Sequence, residues 1–243
     1  MTVHEPVLAP PARPERGVHF PMERGLGELL GRPQGTHRGA LSSSPWEQLG
    51  IWQRVGRART DVTLPAGTDV LLDLSPAAVV DLVELTTLQP DDLQVLDLSD
   101  TPLRDADLRH VVHLTGLQAL HLGGTGVGDA AVDAVLGLGG LEELSLAGTR
   151  VSDAGLAGLA QLPRLRDLDL ADTGITDAGV ARLGRLTQLR RLRLTNTAVT
   201  DAGLLPLLHL HLRHLDLCGT QVSFLGLVRL KQVLTGCMIT RLG

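Results

Sequence analysis

The chain is short of aromatic residues: it has no tyrosine, and Phe20, Phe224, Trp46 and Trp52 are its only phenyl or indole rings. A core must then be filled by aliphatic side chains, and the polar places of the repeat strands hold none of the aromatic anchors that concentrate energy at protein interfaces. Cysteine is scarce too. Cys218 and Cys237 form no CxxC pair, which argues against a disulfide framework or a zinc-ribbon spacing and suits two thiols in a reducing compartment. No stretch approaches the roughly 18 uninterrupted apolar residues of a membrane helix. Residues 1–20 hold prolines and charges instead of an apolar leader core, so a cytoplasmic chain with no membrane partner is expected. A net charge of -5 and a pI near 6.0 argue against a dedicated nucleic-acid binder.

What the chain does have is leucine at a fixed period. Leading leucines at Leu93, Leu117, Leu141, Leu165 and Leu189 open five near-copies of one 24-residue line, and a sixth copy starts at Leu212. Self-similarity at such a period marks a solenoid in which each unit packs only on its neighbours. Within a line the hydrophobic spacing changes. Leu168 and Leu170 alternate with Asp167 and Asp169, the period of a strand. Leu156, Leu159 and Leu162 then recur three apart, as do Val180, Leu183 and Leu186, which predicts a short helix.

The consensus LxxLxLxxTxVTDAGLxxLxxLxx resembles the leucine-rich repeat, in a bacterial 24-residue variant with threonine where many relatives carry asparagine. The resemblance covers about two-thirds of the chain. It implies an α/β solenoid, with parallel strands on a concave face and short helices on the convex side, and it does not imply any particular partner.

Two polar columns follow the period. Thr101, Thr125, Thr149, Thr173, Thr197 and Thr220 hold the ninth place, where a short hydroxyl can bond backbone groups leaving the strand ladder. Asp81, Asp105, Asp129, Asp153, Asp177 and Asp201 stand just ahead of the helical pattern. They are expected to cap their own helices by accepting first-turn amides.

Outside the array the organisation is less regular. Residues 1–43 are rich in Pro, Arg, Gly and Ser and are expected to be mobile, with Met22, Leu26, Leu29 and Leu30 at helical spacing as a possible docking motif. Residues 44–68 are expected to cap the array. Ser44, Pro45 and Glu47 open a helix carrying Trp46, Leu49, Trp52 and Val55, and Val62 to Leu64 pair with the following apolar run as a hairpin across Pro65-Ala66-Gly67. Residues 69–92 read as a worn first repeat with Ala77 in the threonine place, 93–234 as six repeats, and 235–243 as a C-terminal cap. Phe224 replaces the aspartate in the last repeat.

Chemistry-bearing motifs are sparse. Gly123, Gly124, Gly126 and Gly128 lack both the Rossmann spacing and a P-loop lysine. His209, His211 and His214 cluster at a helix-to-strand corner, but a metal site needs them to converge with a further ligand. No nucleophile has a base beside it, so neither catalysis nor a cofactor or metal is expected.

The concave face is therefore the candidate site. Its third and fifth strand places hold Val95 and Asp97, Ala119 and His121, Glu143 and Ser145, Asp167 and Asp169, Arg191 and Arg193, then His214 and Asp216. At about 4.8 Å between strands, Arg191 falls beside Asp167, and Arg193 between Asp169 and Asp216, so the basic patch is largely self-neutralised. All twelve side chains are expected to face a protein partner. An adaptor, in which the N-terminal segment docks a second partner as in F-box leucine-rich-repeat proteins, is the alternative, although no F-box sequence precedes the array.

Overall fold

Each repeat places leucine at its first, fourth and sixth positions, and only a stack of strands can bury all three at once. The computed structural model describes residues 69–74 and 82–241, with the backbone of 16–18, 28–33, 53–57, 62–64 and 68. In chain order the strands are β1 (Arg16–Val18), β2 (Glu28–Pro33), β3 (Gln53–Arg57), β4 (Val62–Leu64), β5 (Thr68–Asp73) and β6 (Val95–Asp97). They continue as β7 (Ala119–His121), β8 (Glu143–Ser145), β9 (Asp167–Asp169), β10 (Arg191–Arg193), β11 (His214–Asp216) and β12 (Met238–Thr240).

Strands β5 to β12 lie side by side in sequence order and in parallel, in one open sheet. The register advances by one repeat per strand, so Leu96, Leu120, Leu144 and Leu168 form one continuous row. Leu141, Leu144 and Leu146 are each 0% exposed, as are their counterparts Leu165, Leu168 and Leu170. Burying one such side chain is worth about 1.5 to 3 kcal/mol, and one apolar cluster runs from Val70 to Leu234.

The convex side carries α1 (Asp129–Val135), α2 (Asp177–Leu183) and α3 (Phe224–Val233). Elsewhere the expected helix is a 3₁₀ helix, at Leu82–Thr87, Asp105–His110, Gly155–Ala157, Leu159–Gln161 and Asp201–His209. The three-apart apolar spacing suits a 3₁₀ helix, which brings i and i+3 onto one line, but α1 and α2 carry the same spacing, so the spacing alone does not select between the two helix types. Pro206 inside the last of these segments removes a donor.

Strands β6 to β11 each leave the sheet through a left-handed residue at the eighth place. Asp100, Asp172 and Asn196 have φ of 57°, 55° and 55°, and Gly124, Gly148 and Gly219 hold the same place in the other repeats. One residue later the threonine hydroxyl donates back to the sixth-place carbonyl. Thr101, Thr125, Thr149, Thr173 and Thr197 each bond the leucine three residues earlier at 2.6 Å, and Thr220 bonds Leu217 at 2.7 Å. The threonine bonds are thus repeated once per turn, each closed within its own repeat.

The aspartates do something other than cap their own helices. Thr176 and Thr200 cap α2 and the Asp201–His209 segment by accepting from Ala178 and Ala202, and Ser223 caps α3 by accepting from Gly226. The aspartate in the thirteenth place, Asp105, Asp129, Asp153, Asp177 or Asp201, reaches across to the next repeat. Asp153 accepts from Thr176 N–H at 2.8 Å and Thr176 Oγ1–H at 2.6 Å, and Asp177 does the same to Thr200. Asp129 binds Ser152, Asp201 binds Ser223, and Asp105 binds the Gly128 amide. A carboxylate with two acceptor oxygens can bond a neighbour's amide and hydroxyl together, which a cap on its own first turn does not require. Asp81 lies outside the described residues.

The N-terminal end also departs from expectation. Strand β4 pairs with β1, Arg16 opposite Leu64, and not with β5. β5 already has both edges taken. Its inner edge pairs in parallel with β6, and its outer edge pairs antiparallel with β2 from Glu28↔Asp73 to Pro33↔Thr68. β3 adds antiparallel to β2. Leu29, Leu30 and Val55 are therefore in strands and not on helical faces, and residues 1–43 contribute two paired strands. Trp46, Leu49, Trp52, Met22 and Leu26 lie outside the described residues.

Candidate partner-binding surface

Parallel pairing in strict register puts the third and fifth strand places into two rows across the concave face. One row runs Leu71, Val95, Ala119, Glu143, Asp167, Arg191, His214, Met238. The other runs Asp73, Asp97, His121, Ser145, Asp169, Arg193, Asp216, Thr240.

The twelve expected contact residues do not share one exposure. Val95, Asp97, Ala119, His121, Glu143, Asp167 and Asp169 are buried. Ser145, Arg191, Arg193 and Asp216 are half-buried, and His214 is exposed. Leu71, Val95 and Ala119 pack together as a small apolar cluster of their own.

His121 sits at the centre of the closed part, 2% exposed. Its Nε2–H donates to Glu143 Oε1 at 2.9 Å, and its Nδ1 lies 3.9 Å from Asp97 Oδ2. Burial is the largest single influence on the imidazole and pushes its pKa down. The hydrogen bond to Glu143 and the charges of Glu143, Asp97 and Asp169 together outweigh it, so the pKa is raised from the ordinary 6.5.

The arginines are paired as the register requires. Arg191 Nη1 lies 3.0 Å from Asp167 Oδ2, and Arg193 Nη1 lies 3.2 Å from Asp169 Oδ2. Asp216, the second partner expected for Arg193, instead accepts from the Cys218 amide through Oδ1 at 3.0 Å, and Arg193 pairs with Asp169. Asp97 and Asp169 make the same contact with Ser99 and Ala171, so an aspartate in the fifth place braces the turn that follows its strand.

What stays accessible is the C-terminal part of the face, a shallow cleft of about 130 Å³ whose lining includes Arg191, Arg193, His214, Asp216 and Thr240. Thr240 and Met238 escape the sequence reading because it ends the repeats at residue 234 and assigns 235–243 to a cap. Aligning Cys237-Met238-Ile239-Thr240 under Arg213-His214-Leu215-Asp216 would have found them. Met238 is 65% exposed. Among the described residues no group of three or more His, Cys, Asp or Glu could hold a metal ion, His209, His211 and His214 included. No helix among them is long and apolar enough to cross a membrane.

Comparison with known proteins gives the same class. The leucine-rich repeat family matches residues 161–184. Internalin C2 from Listeria monocytogenes is similar over 67% of this chain and 66% of its own, with 26% identity and a TM-score of 0.52. A leucine-rich repeat protein of Leptospira interrogans is similar over 62% of this chain and 43% of its own, at 22% identity and a TM-score of 0.48. The chain thus spans just under two-thirds of the first of these structures and less than half of the second. No curated protein matches it significantly. The repeat, the register, the family match and the similarity to internalin C2 make this a leucine-rich repeat fold, which suggests a protein-interaction module.

Proposed function

We propose that the chain is a non-catalytic binding module that takes a protein partner on the C-terminal part of its concave face, at Arg191, Arg193, His214, Asp216, Met238 and Thr240. The observation that carries this reading is the gradient of exposure along the two rows. Towards β6 and β7 the rows are buried, whereas from β10 to β12 they open into a cleft. Arginine is among the residues that dominate interface energies, and Arg191 and Arg193 stand at that opening, each held by an aspartate of the preceding strand. A cytoplasmic setting is supported by Cys218 and Cys237, which are not joined in a disulfide.

Co-purification from the native cell tests the reading. Arg193→Glu should lose the partner captured by the wild type, and Arg182→Glu on convex α2 should keep it. The opposite pattern would place the partner on the convex side. Because Arg193→Glu sets a carboxylate beside buried Asp169, Arg193→Ala is made alongside it, and a thermal melt of each checks that it folds.

A further inference from the structure

The second place of each repeat, beside the concave row, marks a rim where the chain returns from the convex side into the sheet. In the earlier repeats it holds Gln94 and Gln118, then Glu142, and in the next three it holds Arg166, Arg190 and Arg213. These three arginines are stacked on adjacent strands. The Arg166 amide bonds the Glu142 carbonyl at 2.8 Å, the Arg190 amide bonds the Arg166 carbonyl at 2.7 Å, and the Arg213 amide bonds the Arg190 carbonyl at 2.7 Å.

Like charges on neighbouring strands repel, and here little offsets them. Arg166 has Glu142 at 3.7 Å, with its own side chain 60% exposed. Arg190 donates to the carbonyls of Thr187 and Leu189, which hold the guanidinium without cancelling its charge. Arg213 is exposed and forms no ion pair with a described residue, and exposed Arg164 widens the same corner. The result is a positive strip on a chain whose net charge is -5.

We infer that this rim is a docking strip for an acidic polypeptide segment, separate from the concave cleft and independent of whether the cleft binds. Three arginines one strand apart span about 10 Å. Carboxylates at i, i+3 and i+7 of a helix cover about the same length at 1.5 Å per residue. A nucleic acid fits less well. No aromatic side chain among the described residues stands on this rim to stack a base.

The test uses the full chain and a fluorescein-labelled polyglutamate peptide, read by anisotropy at low ionic strength. Wild type should bind it, and binding should fall steeply as salt is added. The triple variant Arg166→Ser, Arg190→Ser, Arg213→Ser should bind roughly tenfold more weakly, whereas Arg182→Ser on convex α2 should bind as wild type does. If the triple variant fails to fold, Arg213→Glu, at an exposed position, should still weaken binding. Unchanged binding by a folded triple variant or by Arg213→Glu would overturn the proposal. So would the absence of polyglutamate binding, or tighter binding of a single-stranded oligonucleotide at the same ionic strength.

Discussion

Asp153 and Gly179 show how one residue constrains another a repeat away. The carboxylate of Asp153 reaches Thr176, and it has room only because the residue facing it in the next repeat is glycine. A Cβ on Gly179 would overlap Asp153 Oδ1 and come within 3.0 Å of Ile175 Cγ2. Gly203 stands to Asp177 and Gly155 to Asp129 in the same way. The DAG triplet is therefore an aspartate that clasps forwards beside a glycine that admits the clasp from behind. The sequence makes the column visible but not the direction of the clasp, because residues 23 apart become neighbours only in the stack. Gly179→Ala should destabilise by about 1 to 3 kcal/mol through overpacking. In denaturant melts its cost should shrink when Asp153→Ala is present, and strictly additive losses would rule the contact out. Thr149→Val should cost less, about 1 kcal/mol. The Leu146 carbonyl that loses the hydroxyl keeps a bond from the Thr149 amide at 3.3 Å. Arg150→Ala, at an exposed position, should be neutral in the same melts.

At the scale of elements, the alternation of leucine and polar residues makes the strands and their register readable in advance. It does not reveal which polar side chains stay in water. Asp167 and His121 occupy places that look outward in the pattern, yet both are closed off by partners on adjacent strands, Arg191 in one case and Glu143 in the other. The helix-to-strand errors at Leu29, Leu30 and Val55 have a related cause, since antiparallel pairing of β2 with β5 joins segments about forty residues apart and leaves no local period. His121 gives this scale its prediction. Its pKa is raised in the folded chain, so the stabilisation it supplies between β6, β7 and β8 is fully present below its ordinary 6.5 and is lost as pH rises through the folded value. Asp201 works the other way, but only in acid. The hydrogen bonds from Ser223 lower its pKa from 3.8, so its contribution is lost as pH falls through the folded value. Thermal melts between about pH 5 and 9 should therefore show stability falling with rising pH, and His121→Gln should flatten the slope. A slope unchanged in His121→Gln would assign the titration elsewhere.

For the molecule as a whole, the question is whether the repeats are interchangeable units or parts of one closed core. Contacts run between adjacent repeats, so removing one complete unit should bring equivalent surfaces together. Deleting residues 141–164 joins Gly140 to Leu165 and places β7 beside β9, with Leu120 opposite Leu168 and His121 opposite Asp169. Asp129 then meets Thr176 in place of Ser152, an amide and hydroxyl for another, and Gly179 still admits the clasp. A shorter deletion of residues 141–158 has no such match. It brings Leu159 to the first place of a repeat and so puts Pro163 in the fifth place, inside an interior strand where a missing N–H breaks the ladder. Arg164 then falls in the sixth place, where Leu146 is 0% exposed, and a lone charge in an apolar core costs several kcal/mol. The longer deletion should therefore give a monomer with a cooperative melt and somewhat lower stability, and the shorter one should unfold or aggregate on size exclusion. A chain that tolerates the smaller loss and collapses on the larger would not be built from interchangeable turns.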